Sequence, residues 1–374
     1  MLKRLYIHNF RCFLNFEYKP ERKQLLVGAN GSGKSSLLEA VRLLKGFLRD
    51  ERTDTIRAAF WSGRTRWLEE QKQVFEIEAE LGGDLYLYRL ELQPERVPSW
   101  IRVGVLAESL KVNGAPIVEI LDGQAILYPR IPGDSVVRLQ QPAIQEGSEG
   151  SIFRTFGGYS EETKNFVEWI SDLNALHINP YVMGQTGFNL GRPRLNSNMS
   201  NIADWYKRQT ETDIETVIKL SASLKEALEG FESLNFRDAG PDHAELVASF
   251  KGPSENAVFS FNELSDGQRC LIALYMILHF LIAKGKTVFL DEPDNFISLR
   301  EIQPWLLAAE DAVEESKGQL ILISHHPEIL NYWAREYGLL FSREENGHVR
   351  TKAYREVADT GLDPAETIAR GWEQ

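Results

Sequence analysis

A glycine-rich octapeptide near the amino terminus restricts this chain more than any other feature. Gly28-Ala29-Asn30-Gly31-Ser32-Gly33-Lys34-Ser35 fits the pattern G-x-x-x-x-G-K-[ST]. Gln24 to Val27, just before it, reads as a buried strand, and Leu37, Leu38, Val41, Leu44 and Leu48 after it recur at helical spacing. A strand that turns through glycines into a helix gathers successive backbone N–H groups in one concavity. The helix dipole adds positive potential, so the loop favours a polyphosphate. Lys34 is placed to reach the terminal phosphates, and the Ser35 hydroxyl to hold Mg²⁺. The plain alternative is an ordinary glycine turn, and the strand-to-helix setting argues against it.

Three further motifs follow in the last third. Thr287-Val288-Phe289-Leu290-Asp291-Glu292-Pro293 is an apolar strand ending in two acids. Such a tip can deliver Asp291 to the metal and let Glu292 orient and deprotonate an attacking water; two acids that merely end a surface strand are the alternative. Leu264-Ser265-Asp266-Gly267-Gln268-Arg269 opens a helix. Ser265 is a good N-cap, and a second helix start is also a second phosphate-binding surface. Leu322-Ile323-Ser324-His325-His326-Pro327-Glu328 is a buried strand ending in a histidine pair, for which metal binding competes as a reading.

In this order, the motifs resemble those of ABC-type ATPase heads, on the branch that groups RecF-like, SMC-like and OLD-like predicted ATPases. The third resembles the LSGGQ signature, with Asp266 in place of the first paired glycine, and the fourth resembles the switch-histidine motif, with His325 in the switch position. Ile7-His8-Asn9-Phe10-Arg11-Cys12-Phe13 is similar to the N-F-R-S-F opening of RecF and SMC-like heads, although a plain hairpin explains it equally well. The resemblance implies ATP and Mg²⁺ as ligands. It implies nucleotide contacts from Arg11, from Asn30, Gly31, Ser32, Gly33, Lys34, Ser35 and Ser36, and from Ser265, Gly267 and Gln268 of an opposing copy. It makes Ser35 and Asp291 the metal ligands and Glu292 and His325 the catalytic pair. Asp294 to Ser298 occupies the place of the loop that crosses the family's dimer interface. Gln71, Gln73 and Gln141 are all candidates for the glutamine of the Q-loop.

The implied fold is α/β: a P-loop core with a mainly parallel sheet covered by helices on both faces, an antiparallel β-subdomain and an inserted helical lobe. Residues 1–50 and 244–358 form the expected core, 73–130 its strand-rich part, 131–243 an inserted loop and helical lobe, and 359–374 a tail. Within these, Val74 to Leu81 and Leu85 to Leu92 read as a hairpin around Gly82-Gly83-Asp84. Residues 131–158 and 184–200 read as loops, Glu161 to Leu173 as a helix, and Asn201 to Phe231 as one helix.

Hydrophobic residues at 43% and charged residues at 26% fit an ordinary globular chain rather than a disordered one. The longest apolar stretch, Leu271 to Ala283, is interrupted by His279 and reads as too short to span a bilayer. The amino terminus lacks the long apolar centre of a secretion signal, so residence in the cytoplasm and no membrane partner are expected. Cys12 and Cys270 lie in no Cys/His cluster, which argues against disulfides and structural zinc. A net charge of −12 argues against indiscriminate coating of nucleic acid. A local groove using Arg57, Arg64 and Arg66, or Arg192, Arg194, Lys207 and Arg208, keeps nucleic acid as a candidate ligand.

The expectation is therefore a homodimer whose two ATP sites form face to face, gating a separately encoded effector such as a nuclease or toxin of a bacterial defence module. A RecF-like head acting directly on DNA and a low-turnover ATP-dependent scaffold are the alternatives.

Overall fold

The computed structural model describes residues 1–49, 53–97, 100–121, 124–129, 136–140, 150–183, 194–240, 243–344, 347–355 and 362–371. The chain begins with β1 (Leu2–His8), β2 (Phe16–Tyr18), β3 (Lys23–Val27), α1 (Lys34–Leu48) and α2 (Thr53–Ser62). Six strands follow: β4 (Gln73–Leu81), β5 (Asp84–Val97), β6 (Trp100–Val112), β7 (Ala115–Leu121), β8 (Gln124–Leu127) and β9 (Val137–Gln140). Next come α3 (Phe153–Phe156), α4 (Glu161–Asp172), β10 (Asn174–His177), α5 (Ile202–Thr212), α6 (Ile214–Ala227), β11 (Phe231–Gly240), β12 (His243–Phe250) and β13 (Ala257–Ser260). The last elements are α7 (Asp266–Phe280), β14 (Thr287–Asp291), α8 (Leu299–Ser316), β15 (Gln319–Ile323), α9 (Pro327–Tyr337), β16 (Gly338–Arg343), β17 (Val349–Ala353) and α10 (Pro364–Ala369).

Two compact units divide these elements. Met1–Glu21, Gly28–Leu173 and Leu339–Ala353 form the first; Arg22–Val27, Asn174–Gly338 and Tyr354–Gln374 form the second. Of the lobe expected over residues 131–243, the part up to Leu173 falls in the first unit and the part from Asn174 in the second. Residues 131–135, 141–149 and 184–193 of the two expected loops lie outside the described residues, while β9 and α3 fall inside the loop expected over 131–158.

The first unit is built on an antiparallel sheet in the order β2-β1-β4-β5-β6-β7-β8-β9. Alternation explains it. Phe75, Ile77 and Ala79 of β4 are buried on one face, while Glu76 and Glu78 on the other bind Arg4 of β1 at 2.5 and 2.7 Å. The predicted Gly82-Gly83 hairpin joins β4 to β5. On the covered side Tyr86 and Tyr88 pack against Phe166 of α4, with ring centroids 6.4 and 5.3 Å apart. Glu108 of β6 is fully buried beside them. Its carboxylate accepts from Ser151 Oγ at 2.5 Å, the Ile152 N–H at 2.7 Å and Tyr88 Oη at 2.9 Å.

The second unit holds the expected parallel sheet, in the order β10-β14-β15-β3. Every residue of β3 and β15 is buried, as continuous apolar strands covered on both faces require. α9 packs on β3, and Trp305 of α8 donates its indole N–H to the Leu274 carbonyl of α7 at 3.0 Å. An antiparallel sheet β11-β12-β13 completes the unit; its first residue, Phe231, falls at the end of the helix expected from the sequence. The single helix expected over 201–231 is two, because Asp213 leaves helical geometry at φ −144°, ψ 69° and its side chain caps α6 by accepting from Thr216 N at 3.2 Å. Asp266–Lys284 is long and apolar enough, by length and composition alone, to cross a bilayer, which corrects the shorter stretch read from the sequence. Most of it is buried inside this unit, as a core helix would be.

Burial raises the Glu108 carboxyl to about 7, against the hydrogen bonds from Ser151, Ile152 and Tyr88 that favour its charge. A carboxyl whose folded pKa is raised holds its stabilisation below its unfolded pKa and loses it as pH climbs through the folded value. Glu108→Gln, whose amide can donate to the two hydroxyls, should remove this dependence. Chemical denaturation should show the variant gaining on wild type as pH rises from 4.5 to 8, the difference between them changing by about 3 kcal/mol at 1.36 kcal/mol per pKa unit.

Candidate nucleotide site

The glycine loop leaves β3 at Gly28, where the backbone takes φ 133°. A side chain there would place its Cβ 2.3 Å from the Phe341 carbonyl oxygen, so only glycine lets the chain turn under β16. Ser32 lies inside the same curl, its hydroxyl buried without a hydrogen-bond partner. Lys34, also buried, bends its ammonium over the loop and donates to the carbonyls of Gly28 at 2.6 Å and Ala29 at 3.1 Å. Gly33 forms the N-cap of α1, while Asn30, Gly31 and Ser35 are exposed and Ser36 is half-buried. A concavity closed to side chains, lined by an unsatisfied hydroxyl and an ammonium, suits the oxygens of a polyphosphate.

The opening turn supports this loop from beneath. Cys12 Sγ stands 3.1 Å from where a Gly33 Cβ would be, and Cys12 shares a hydrogen bond with Ser36. Burial pushes the Cys12 thiol up, so it serves as packing rather than as a nucleophile. Arg11, at φ 53°, is exposed and pairs with Glu39 of α1. Asn9, which the opening motif contains but to which it assigns no role, holds the turn: its amide donates to the carbonyls of Glu70 at 2.7 Å and Lys72 at 2.9 Å, and its oxygen accepts from Thr65 N at 3.1 Å. Gln73 donates to the Asn9 carbonyl at 2.9 Å from a fully buried position, whereas Gln71 is exposed beside Arg64. Gln141 lies outside the described residues.

In the second unit, the acids and histidines gather at one sheet edge. Leu26 is opposite Ile323, and Ile323 is opposite Asp291, so β3, β15 and β14 end together. Glu292 takes φ 47° yet still donates its N–H to the Ile323 carbonyl at 2.8 Å; its carboxylate accepts from Asn295 Nδ2 at 3.0 Å. Asp294, a third acid that the Asp-Glu-Pro-Asp run could have signalled, is buried with one carboxylate oxygen lacking a partner. Burial raises its carboxyl, opposed by the Ser324 hydroxyl and by the nearby His326. His325 is exposed, whereas His326 caps α9, its Nδ1 accepting from Glu328 N at 3.2 Å.

Ser265 caps α7 in a reciprocal box with Gln268: Ser265 Oγ accepts from Gln268 N at 3.2 Å, and Gln268 Oε1 from Ser265 N at 3.0 Å. The structural role foreseen for Ser265 is thus present. Its hydroxyl is also exposed at a helix start, the location that a second phosphate surface needs. Gly267 lies against the loop after β14, where a Cβ would come 2.8 Å from the Phe296 carbonyl oxygen.

Comparison with known proteins finds similarity in two parts of the chain. Residues 188–331 match a family described as "AAA domain, putative AbiEii toxin, Type IV TA system", and residues 1–83 match the AAA ATPase domain. The DNA replication and repair protein RecF of Synechocystis sp. is 40% identical over 86 residues, covering 21% of this chain. That match spans 22% of the length of the relative. The solved SMC head domain from Thermotoga maritima aligns with 95% of this chain and 99% of its own at 17% identity and a TM-score of 0.48. Over residues 1–83 and 188–331 the chain is therefore similar to AAA-type ATPase domains. A shorter stretch of 86 residues is similar to RecF.

Gly28→Ala should lower unfolding free energy by about 2 kcal/mol or more, because the left-handed backbone and the Phe341 clash act together. Urea titration of the purified variant checks this, and an unchanged midpoint would contradict the packing described.

Proposed function

We propose that this chain binds ATP with Mg²⁺ and hydrolyses it between two copies, the nucleotide state gating a separately encoded effector. One observation carries the reading. The phosphate loop begins directly after β3, whose parallel neighbour β15 runs into Ser324-His325, and the next strand beyond it, β14, runs into Asp291-Glu292. Ligands of open α/β folds bind at the carboxyl ends of such strands.

Lys34 would exchange the carbonyls of Gly28 and Ala29 for phosphate oxygens, with Ser32 and the N–H groups of residues 30–36 completing the cradle. Ser35 and Asp291 would hold Mg²⁺, which supplies charge neutralisation on the phosphates when bound. Glu292 would accept a proton from the attacking water, and Asn295 already orients its carboxylate. The exposed His325 would donate a hydrogen bond toward the terminal phosphate. Ser265, Gly267 and Gln268 would present the start of α7 to the nucleotide of the opposing copy, and Arg11 would lie near the nucleotide of its own. A triphosphate gripped by two polypeptides stabilises their association by its differential affinity for the closed pair. The toxin–antitoxin wording of the matched family supports an effector partner, and the P-loop class supports a cytoplasmic setting.

Action directly on DNA is the second reading. The RecF similarity favours it, as do three Trp–Arg pairs in the first unit: Arg57 over Trp100, Arg64 over Trp61 and Arg343 over Trp67, at 5.8, 3.5 and 5.8 Å.

Lys34→Ala should abolish nucleotide binding in an equilibrium titration. Glu292→Gln should leave ATP bound and a dimer trapped in sedimentation, with turnover reduced by about 100-fold or more, the usual scale for a lost general base. A Glu292→Gln protein that turns over ATP at the wild-type rate would refute the hydrolytic assignment, and wild type lacking turnover would favour the scaffold reading. DNA affinity that falls steeply between 50 and 200 mM salt, about 1,000-fold for six phosphate contacts, would support the second reading; no binding at 50 mM would exclude it.

A further inference from the structure

The loop after β10 joins three pieces of the second unit that the motifs treat separately. His177, the last residue of β10, directs Nδ1 to the Asp291 carbonyl oxygen at 3.3 Å. The Pro180 carbonyl accepts from Arg269 Nη1 at 2.8 Å, while the other arm of Arg269 pairs with Asp266 in the first turn of α7. Tyr181 places its ring edge-on to Phe296, with centroids 5.6 Å apart and planes at 85°. The circuit closes where Gly267 meets the Phe296 carbonyl.

Burial does not account for this arrangement. Tyr181 is 70% exposed and Phe296 46%, so the ring pair removes little apolar surface from water. Phe296 also sits at φ 76°, a backbone region that a side-chain-bearing residue holds only when its surroundings impose it. Two contacts impose it here, the Tyr181 ring and the close approach at Gly267. Asn179 in turn fixes Tyr181, its Oδ1 accepting from Tyr181 N at 3.1 Å and its carbonyl from Val182 N at 3.3 Å. Arg269 is the one side chain in the set that binds both the loop and the α7 start, and its guanidinium is largely buried.

We propose that residues 177–181 form a brace holding the Ser265–Gly267 turn in register with the end of β14, with Tyr181 and Arg269 as positioning residues. The inference rests on the ATPase reading above. Both residues belong to the second unit and the phosphate loop to the first, so nucleotide affinity and turnover should separate. The full chain would be prepared as Tyr181→Ala, Tyr181→Phe, Arg269→Gln and the Tyr181→Ala/Arg269→Gln double variant. Each would be measured for thermal midpoint, affinity for a fluorescent ATP analogue with Mg²⁺, and ATP turnover.

The expected result is an affinity within about two-fold of wild type, with kcat lowered about ten-fold in Tyr181→Ala and in Arg269→Gln, the pattern of an interaction that matters only in the transition state. Tyr181→Phe should retain wild-type kcat because the ring contact survives. Residues of one brace act as a unit, so the double variant should be no slower than the worse single variant. Wild-type kcat in Tyr181→Ala would overturn the brace, as would losses that multiply in the double variant or merely follow a reduced folded fraction. Wild type that binds the analogue but never turns ATP over would instead defeat the parent reading, and the brace with it.

Discussion

Parallel strand register is the constraint on which the rest of the candidate site depends. Ile323 lies between Leu26 and Asp291 across the sheet, so three segments distant in sequence reach one edge and end there. Parallel strands require crossover connections, and their buried faces require continuous apolar sequence; both conditions are met by β3, β14 and β15. Glu292 shows how tightly the edge is held. Its backbone has already left strand geometry, but it keeps one ladder bond to Ile323 while its side chain turns toward Asn295.

Polar groups placed in apolar surroundings specify both units. In the first, Asn9 binds three backbone groups through its side chain and the Gln73 side-chain amide through its carbonyl, and so fixes the turn beneath the glycine loop. Glu108 fastens the Ser151–Ile152 segment to the sheet at the cost of burying a carboxyl. In the second, Asp294 and Ser324 share a buried position just behind Glu292. Burying such groups is costly unless they are bonded, so each limits the alternative packings of its neighbourhood.

The motif-bearing elements were legible because each carries a local signal. Alternation marked β4 and β5, helical spacing marked α1, and continuous apolar runs marked β14 and β15. Other elements carried weaker signals than their packing. β10 is only four residues long, β11 contains Asn, Arg, Asp and Gly, and its start was absorbed into a preceding helical pattern. The break at Asp213 was hidden because apolar spacing continues on both sides of it. The Tyr181–Phe296 and Arg269–Pro180 contacts have no sequence periodicity at all, since the partners are brought together by separate loops.

The sequence by itself determined the chemistry available: a glycine loop able to receive phosphate, two acids closing a buried strand, a capped helix start and a histidine after a second strand. Those are short-range properties, set by backbone freedom, side-chain type and hydrophobic period within a few residues. Only the tertiary structure decided that Leu26, Ile323 and Asp291 stand abreast, that the Phe341 carbonyl excludes a side chain at Gly28, and that Phe296 is held in a left-handed conformation. Register and close approach depend on where distant segments pack, and no local pattern encodes that distance.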